Sequence, residues 1–436
     1  MKNKSKKTIV TIIASCILCL SLLLVIVNLF MNPYRGMTSQ YETDSLPLYE
    51  MMTKEQAVED IKFAVNIIKS RHYSAINGLT EEVNSQYLKE INNLADPSSM
   101  LEVWRAVGRI LNKLNDAHSQ VYSIGSMLQY VEAIYKVENG ITYIEIGGKW
   151  LEVIDINGVK MENIYANAKE ETSYENEYFL NTLFEDRICY SVYLFYYGVE
   201  PKNEYTVKYL NEGEIESVKF QYIESVNTTT EQQEFVRYQI DKQENLAILT
   251  LDACNYNELY KNTVNKFFRE VKESNITNVA VDLRRNGGGN SLVANEFIKY
   301  LDTPSYQDFG GSIRFGIIHY EGNIKNRKNE QHKDYLYNGN VYVLTSPFTF
   351  SSATNFSVLL QDNGLAKVIG EPSGNSPSAY GDVISFQLPN SKLGFQTTYK
   401  YFHRPDKTKD SEDAQIPDYF VPEEEALNEL YRIVEE

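Results

Sequence analysis

A serine at position 351 joins two stretches of different periodicity. Residues 341–346, VYVLTS, are apolar and rich in β-branched residues, which is typical of a buried strand; from Phe356 onward apolar residues recur at helical spacing. A hydroxyl at such a strand-to-helix turn is exposed at the sheet edge, and the free N–H groups of the first helical turn can stabilise an oxyanion. Ser351 is therefore a candidate nucleophile. The alternative is that Ser351 or Ser352 only caps the helix.

A run of three glycines provides a second candidate element. Residues 284–290, RRNGGGN, stand between a strand-like stretch and a helix-like one. Gly287, Gly288 and Gly289 place bare backbone N–H groups at a helix N-terminus, which suits a negatively charged oxygen. A phosphate-binding loop uses the same physics, but the order Gly-x-Gly-x-x-Gly and the ending Gly-Lys-Ser/Thr are both missing. An oxyanion hole fits the run better.

A serine nucleophile needs a base, and His118 is the candidate. It stands in Asn-Asp-Ala-His-Ser, on a loop just after a helical pattern, far from Ser351 in sequence but free to approach it in space. Four rivals occur elsewhere in the chain: His72, His319, His332 and His403.

Three motifs in order carry a resemblance to a known family. They are LNDAHS around His118, VDLRRNGGG, and TFSSATNF followed by VIGEPSGNSP. The combination resembles the tail-specific or C-terminal processing serine peptidases, in the branch related to the catalytic core of tricorn protease. The resemblance implies hydrolysis of peptide bonds in a protein or peptide substrate, and it implies no cofactor. It also implies an α/β core of the Clp-protease/crotonase type, preceded by a helical domain and a β-rich, PDZ-like module.

The family's nucleophile falls on Ser351. The resemblance implies an oxyanion hole made by the N–H groups of Ser352 and Gly288, with Gly287 and Gly289 in contact with substrate. One subgroup uses a lysine as its base, but Ser376 occupies that position here.

The missing lysine gives the role of base to His118, as in the tricorn-like branch. That branch places an orienting carboxylate just before an Ile-Pro-Asp signature, which is present at residues 416–418. Glu412 is the candidate for this carboxylate, and Asp413 is the alternative.

Two other functions are compatible with the same motifs. A peptide-binding protein that has lost peptidase activity would keep the scaffold without the chemistry. A crotonase-like enzyme acting on a thioester would also use a glycine-rich oxyanion hole, but it needs no serine at position 351.

The surrounding elements predict a multidomain α/β protein. Residues 53–121 show helical patterns and form a predicted helical domain, and residues 122–235 show short strand patterns separated by turns such as Asn157-Gly158. Residues 236–436 alternate strand and helix patterns, which predicts a mainly parallel sheet and the peptidase core.

The N-terminus predicts a membrane anchor. Residues 8–31 contain no charged residue and are long enough to span a bilayer; residues 1–7 are lysine-rich and residues 32–52 form a polar linker. The positive-inside rule places the N-terminus in the cytoplasm and the rest of the chain outside, at the cell membrane. A cleaved signal peptide and a lipoprotein signal ending at Cys16 are the alternatives.

Composition excludes some partners and leaves other questions open. The net charge of −17 argues against nucleic-acid binding, and the five histidines and four cysteines show no metal-ligand spacing, so no metal is expected. Cys189 and Cys254 could pair outside the cell. The sequence does not predict the oligomeric state.

Overall fold

The computed structural model describes residues 2–41, 43–125, 129–200, 202–224 and 234–436. The chain begins with a long helix, α1 (Lys2–Phe30). Its segment Thr11–Phe30 has a mean hydropathy of 2.8 and no residue buried against the rest of the protein. By length and composition α1 can cross a membrane, and a signal sequence would pass the same test.

The N-terminal helices form where the cap residues predict them. Thr53, with Gln56 three residues later, has the sequence pattern of a capping box, and the structure forms this box; Thr80 caps the next helix. His118 follows the last of these helices on a loop, as predicted. The elements are β1 (Met51–Met52), α2 (Lys54–Arg71), α3 (Glu81–Asn93), β2 (Ser98–Ser99) and α4 (Met100–Asn112).

The middle of the chain is built on an antiparallel sheet of order β10-β9-β7-β6-β5, with three helices beside it. Asn157 and Gly158 both have positive φ and turn the chain between β7 and β8, as the Asn-Gly pair predicted. The strand after this turn has only two residues, and a helix begins directly after it. The PDZ-like character of this module stays a prediction. Its elements are β3 (Gln120–Tyr122), β4 (Gln129–Tyr130), β5 (Tyr135–Glu138), β6 (Ile141–Ile146), β7 (Lys149–Ile156), β8 (Val159–Lys160), α5 (Met161–Glu171), α6 (Glu177–Arg187), α7 (Ser191–Tyr196), β9 (Glu204–Asn211), β10 (Glu214–Gln221) and β11 (Ile223–Glu224).

The C-terminal part contains the predicted parallel sheet, of order β12-β13-β14-β19-β20-β23. In the described chain β12 pairs with β13 in antiparallel orientation, and the other neighbouring strands of this sheet are parallel. The elements are β12 (Val236–Asp241), β13 (Leu246–Leu251), α8 (Glu258–Glu273), β14 (Asn278–Asp282), α9 (Leu292–Ile298), β15 (Ser305–Asp308), β16 (Gly310–Phe315), β17 (Ile318–Tyr320), β18 (Lys325–Lys328), β19 (Asn340–Thr345), α10 (Ser352–Asp362), β20 (Lys367–Gly370), β21 (Ala379–Gln387), β22 (Gly394–His403), β23 (Tyr419–Phe420) and α11 (Ala426–Glu435).

A second sheet, of order β17-β16-β22-β21, joins the parts of the chain. Strand β3, which follows the His118 loop, pairs with β22, so that Gln120 lies opposite Gln396. The helices α2 and α4, the β-rich module and the strands β21 and β22 share one hydrophobic core. The boundaries proposed at 53–121, 122–235 and 236–436 stay predictions, since this core crosses two of them.

The cysteines do not form disulfides in this structure. Cys189 is partly buried and Cys254 is buried, and both are free thiols. Burial raises the pKa of each thiol to about 12, so both are protonated at neutral pH.

Candidate active site

Ser351 occupies a strained turn between β19 and α10. Its φ of 57° and ψ of −122° lie where residues other than glycine are rare, and such a conformation costs about 1–3 kcal/mol. The Ser351 N–H donates to Asn375 Oδ1 at 2.6 Å, and Asn375 is itself buried. The hydroxyl makes no capping bond to α10. The turn therefore holds Ser351 in place, with its hydroxyl free for chemistry.

The glycine run packs directly against this turn. Gly288 has a φ of +101°, and a Cβ on it would lie 2.6 Å from Ser351 Cβ and 3.0 Å from Ser352 N. Only glycine permits both this backbone conformation and this close approach. A further bond fixes the two segments, because Ser352 Oγ donates to the Gly289 carbonyl at 2.8 Å.

The N–H groups of the run are not equivalent. Gly288 N–H donates to Asn286 Oδ1 at 2.9 Å and is therefore occupied, although the sequence favoured it as an oxyanion donor. Within the described residues no hydrogen bond is found from the N–H of Gly289 or of Ser352. Gly289 and Ser352 line the same pocket as Ser351, whereas Gly287 and Gly288 are not among its lining residues. The geometry thus favours Gly289 over Gly288 as the partner of Ser352.

His118 reaches this pocket from the other end of the chain. Its ring lies against Phe350, with centroids 4.6 Å apart, and Phe350 directly precedes Ser351. His118 and Ser351 both line a cavity of about 390 Å³. The structure therefore brings these two distant loops to one pocket.

The imidazole of His118 is buried and unpaired. Neither ring nitrogen has a hydrogen-bond partner among the residues that the structure describes. Burial lowers the pKa of His118, against the raising effect of Asp116 and Asp382. The ring is consequently neutral at pH 7, which is the form that can accept a proton.

Asp116 is the carboxylate that faces His118. Its Oδ1 accepts a hydrogen bond from the backbone N–H of His118 at 2.9 Å. The same oxygen lies 3.8 Å from the ring nitrogen Nδ1 of His118, beyond hydrogen-bond length. Its Oδ2 accepts from Thr398 Oγ1 at 2.8 Å and lies 3.1 Å from His72 Nε2. Burial acts to raise the pKa of Asp116, but the bonds and charges of the two histidines and Ser119 lower it overall. Asp116 therefore stays ionised and sets the conformation of the His118 loop.

Glu175 brings a second carboxylate to the same place. Its two oxygens accept the N–H of Ala117 at 3.2 Å and the N–H of Ser376 at 2.7 Å, so it connects the His118 loop to the loop after β20. Burial and the nearby Asp116 carboxylate raise the pKa of Glu175 to about 8. Nothing in the local sequence around Glu175 indicated this role.

Asp116, His118 and Glu175 also have the spacing of a metal site. One ligand atom from each lies within 4.8 Å of the others. Both oxygens of Glu175 already accept backbone N–H bonds, and both oxygens of Asp116 accept hydrogen bonds. The two carboxylates are thus satisfied by the chain's own donors, whereas the ring of His118 has no partner among the described residues, and the expectation of no metal stays a prediction.

The structure does not bring Glu412 to His118. Glu412 Oε2 instead accepts from Arg404 Nη1 at 2.7 Å, and the buried Arg404 also pairs with Asp362 at 2.8 Å. Because the Arg404 guanidinium is buried, it holds Glu412 in this arrangement. Asp413, the alternative, contributes its backbone carbonyl, which accepts from Ser376 Oγ at 2.8 Å. Glu412 as the orienting carboxylate stays a prediction, and Asp116, whose Oδ1 lies 3.8 Å from His118 Nδ1, is the candidate that the geometry adds.

The β-rich module contributes to the site. Phe179 on α6 stacks on Phe350 with centroids 4.6 Å apart. Asn176, the cap of the same helix, donates to the carbonyls of Ser373 and Gly374 in the loop after β20. The module therefore packs against the loops around Ser351, a contact that the sequence did not predict.

Comparison with protein families indicates the class of enzyme. Residues 245–421 match the model of peptidase family S41. The protein is therefore a serine-type peptidase, and the family resemblance and the mixed α/β, multidomain fold class are confirmed. The family match favours a peptidase over the thioester-processing alternative.

Comparison with solved structures shows the same fold over most of the chain. Mature CPAF complexed with lactacystin has a TM-score of 0.62 at 12% identity, covering 88% of this chain and 97% of that one. A CPAF mutant gives 0.64 at 12% identity, covering 88% and 96%. The photosystem II D1 C-terminal processing protease gives 0.49 at 12% identity, covering 87% and 97%. No curated protein matches the chain significantly.

Proposed function

We propose that this protein is a membrane-anchored, extracytoplasmic serine endopeptidase or C-terminal processing peptidase, with Ser351 as nucleophile and His118 as general base. The observation that supports this most is that Ser351 and His118 line one pocket, next to two uncommitted backbone N–H groups. Peptide-bond hydrolysis needs these three components in one place: a hydroxyl, a neutral imidazole and donors for the oxyanion.

The proposed reaction is acyl transfer. His118 Nε2 takes the proton of Ser351 Oγ as that oxygen attacks the scissile carbonyl, and the N–H groups of Gly289 and Ser352 stabilise the oxyanion. His118 then protonates the leaving amine, and water hydrolyses the acyl-enzyme with His118 again as base. Asp116 faces Nδ1 at 3.8 Å, so a small rotation of the ring lets Nδ1–H donate to it and stabilises the imidazolium that forms.

A fluorophosphonate probe tests the nucleophile. We expect the full chain to be labelled, and Ser351→Ala and His118→Ala to lose labelling. The matched control is Ser357→Ala, because Ser357 lies on α10, the helix that follows Ser351, and its buried hydroxyl has no partner in the described part of the chain. Labelling that survives Ser351→Ala, or that is lost equally in Ser357→Ala, contradicts the proposal.

A second function, peptide binding without cleavage, is favoured by one observation. Neither nitrogen of His118 is hydrogen-bonded, so the proton-transfer contact with Ser351 is not formed in this conformation. The two functions give opposite results: a binder takes up no fluorophosphonate and cleaves no peptide. Where cleavage occurs, mass spectrometry of the products separates internal cleavage from removal of a C-terminal segment.

The membrane placement rests on α1. Its segment Thr11–Phe30 is apolar and exposed along its whole length, which is unfavourable in water. In cells that express the full chain with an N-terminal tag, we expect the tag to stay attached and to be protected from external protease, while the rest is digested. Loss of the tag during synthesis would identify α1 as a cleaved signal sequence instead.

A further inference from the structure

The turn between β16 and β17 exposes apolar side chains at its tip. Ile317 is 75% exposed, more than any other large apolar side chain of the described residues, and Ile318 and Tyr320 beside it are exposed as well. Scattered single apolar residues on a surface are normal, whereas a cluster at the tip of a hairpin indicates a contact surface.

This turn touches the end of the apolar helix. The Ile317 N–H donates to the carbonyl of Phe30, the last residue of α1, at 3.1 Å. Gly316 has a φ of +60°, and a side chain on it would overlap with the Phe30 carbonyl. The chain after α1 is held to the same sheet, since Pro33 is buried and the hydroxyl of Tyr34 is hydrogen-bonded to that of Tyr399 on β22. The helix end and the hairpin therefore form one continuous surface.

The length of the helix sets the depth of that surface. The apolar segment of α1 has 20 residues, which at 1.5 Å per residue is about 30 Å and equals the hydrocarbon thickness of a bilayer. With α1 across the membrane, Phe30 lies at the outer boundary of the hydrocarbon. Tyr34 and Tyr320 are exposed near this level, where aromatic side chains prefer to lie.

We propose that the turn Gly316–Ile318 is a second membrane contact, which places Ile317 and Ile318 in the outer interface of the same bilayer that α1 crosses. This inference rests on the proposed membrane anchor. The anchor alone would attach the peptidase domain to the membrane at one point. A second contact fixes the orientation of the β16–β22 sheet relative to the membrane.

Tryptophan fluorescence of the full chain in lipid vesicles tests the contact. The vesicles consist of phosphatidylcholine and phosphatidylglycerol, and part of the lipid is brominated at acyl carbons close to the headgroup. The reporter is Ile317→Trp. Ile26→Trp, in α1, reports the anchor. Ile215→Trp is the matched control, because Ile215 on β10 is 63% exposed and belongs to another sheet. The signal of native Trp104 and Trp150 is subtracted.

We expect brominated lipid to quench the added emission of Ile317→Trp and Ile26→Trp at least twofold and to leave Ile215→Trp unchanged. Quenching of Ile26→Trp alone overturns the hairpin contact but keeps the anchor. Equal quenching of all three overturns the contact in favour of general adsorption. No quenching of Ile26→Trp overturns the anchor, and the hairpin contact with it, whereas the fluorophosphonate test of the peptidase site is independent of both.

Discussion

Glu175→Gln should change how the stability of the protein depends on pH. Glu175 is 7% exposed, and its oxygens accept the N–H groups of Ala117 and Ser376. Burial and the Asp116 carboxylate raise its pKa to about 8 from the usual 4.5. Glutamine has nearly the same shape but does not titrate, so the substitution removes the proton equilibrium while keeping the side chain in place.

The sign and size of the effect follow from proton linkage. Between pH 4.5 and pH 8 the unfolded chain has released the Glu175 proton while the folded protein retains it, so the folded state loses stability as pH rises. The stability that the protonated Glu175 contributes is fully present below pH 4.5, and it is lost as pH approaches 8, at about 1.4 kcal/mol per pH unit. Between pH 5 and pH 8 the wild type should therefore lose about 4 kcal/mol relative to Glu175→Gln. The hydrogen bond that glutamine loses adds a constant offset and no slope.

Urea unfolding of the full chain in detergent, followed by tryptophan fluorescence at pH 5, 6, 7 and 8, measures this difference. Glu145→Gln is the control, because Glu145 is exposed on β6 and should leave the slope unchanged. Parallel pH profiles of wild type and Glu175→Gln would refute the assignment of a neutral Glu175 at this site.

Three further outcomes are expected. Gly288→Ala should abolish activity and destabilise the protein by more than about 2 kcal/mol, because position 288 has a positive φ and the added Cβ would lie 2.6 Å from Ser351 Cβ. Gly287→Ala is the control. Its added Cβ meets open space, so it should have little effect on thermal stability or kcat/KM. Burial lowers the pKa of His118 below the ordinary histidine value of 6.5. We therefore expect kcat/KM to stay constant from pH 8 down to pH 6.5 and to fall only at lower pH. A decline that begins above pH 6.5 would contradict this. Glu412→Gln should lower stability but change kcat less than about threefold, since its ion pair with a buried arginine lies outside the pocket; a loss of about 10²-fold or more would restore it as the orienting carboxylate.

The sequence was sufficient for features that depend on neighbouring residues. The capping box at Thr53, the Asn157-Gly158 turn and the strand-to-helix turn at Ser351 all form as predicted, because a cap or turn is satisfied within a few residues. The alternation of strands and helices likewise predicted the parallel sheet that positions Ser351 and the glycine run.

The sequence was not sufficient where a side chain chooses between distant partners. Glu412 stands at the expected position in the motif, but the buried Arg404 binds it, and this choice depends on packing between β22 and α10. Glu175 reaches the site because α6 of the module packs against the loop after β20. The N–H of Gly288 is likewise taken by Asn286, which the glycine pattern alone does not show.

Strand β22 connects these observations. Near its start, Gln396 donates to the carbonyl of His118 at 2.8 Å; further along, Lys400 and Phe402 line the pocket of Ser351 and lie opposite Ile313 and Gly311 of β16. From Ile313 to the exposed turn at Ile317 is four residues, about 13 Å of extended chain. In the proposed arrangement the pocket wall is therefore held within about 20 Å of the bilayer by continuous strand pairing.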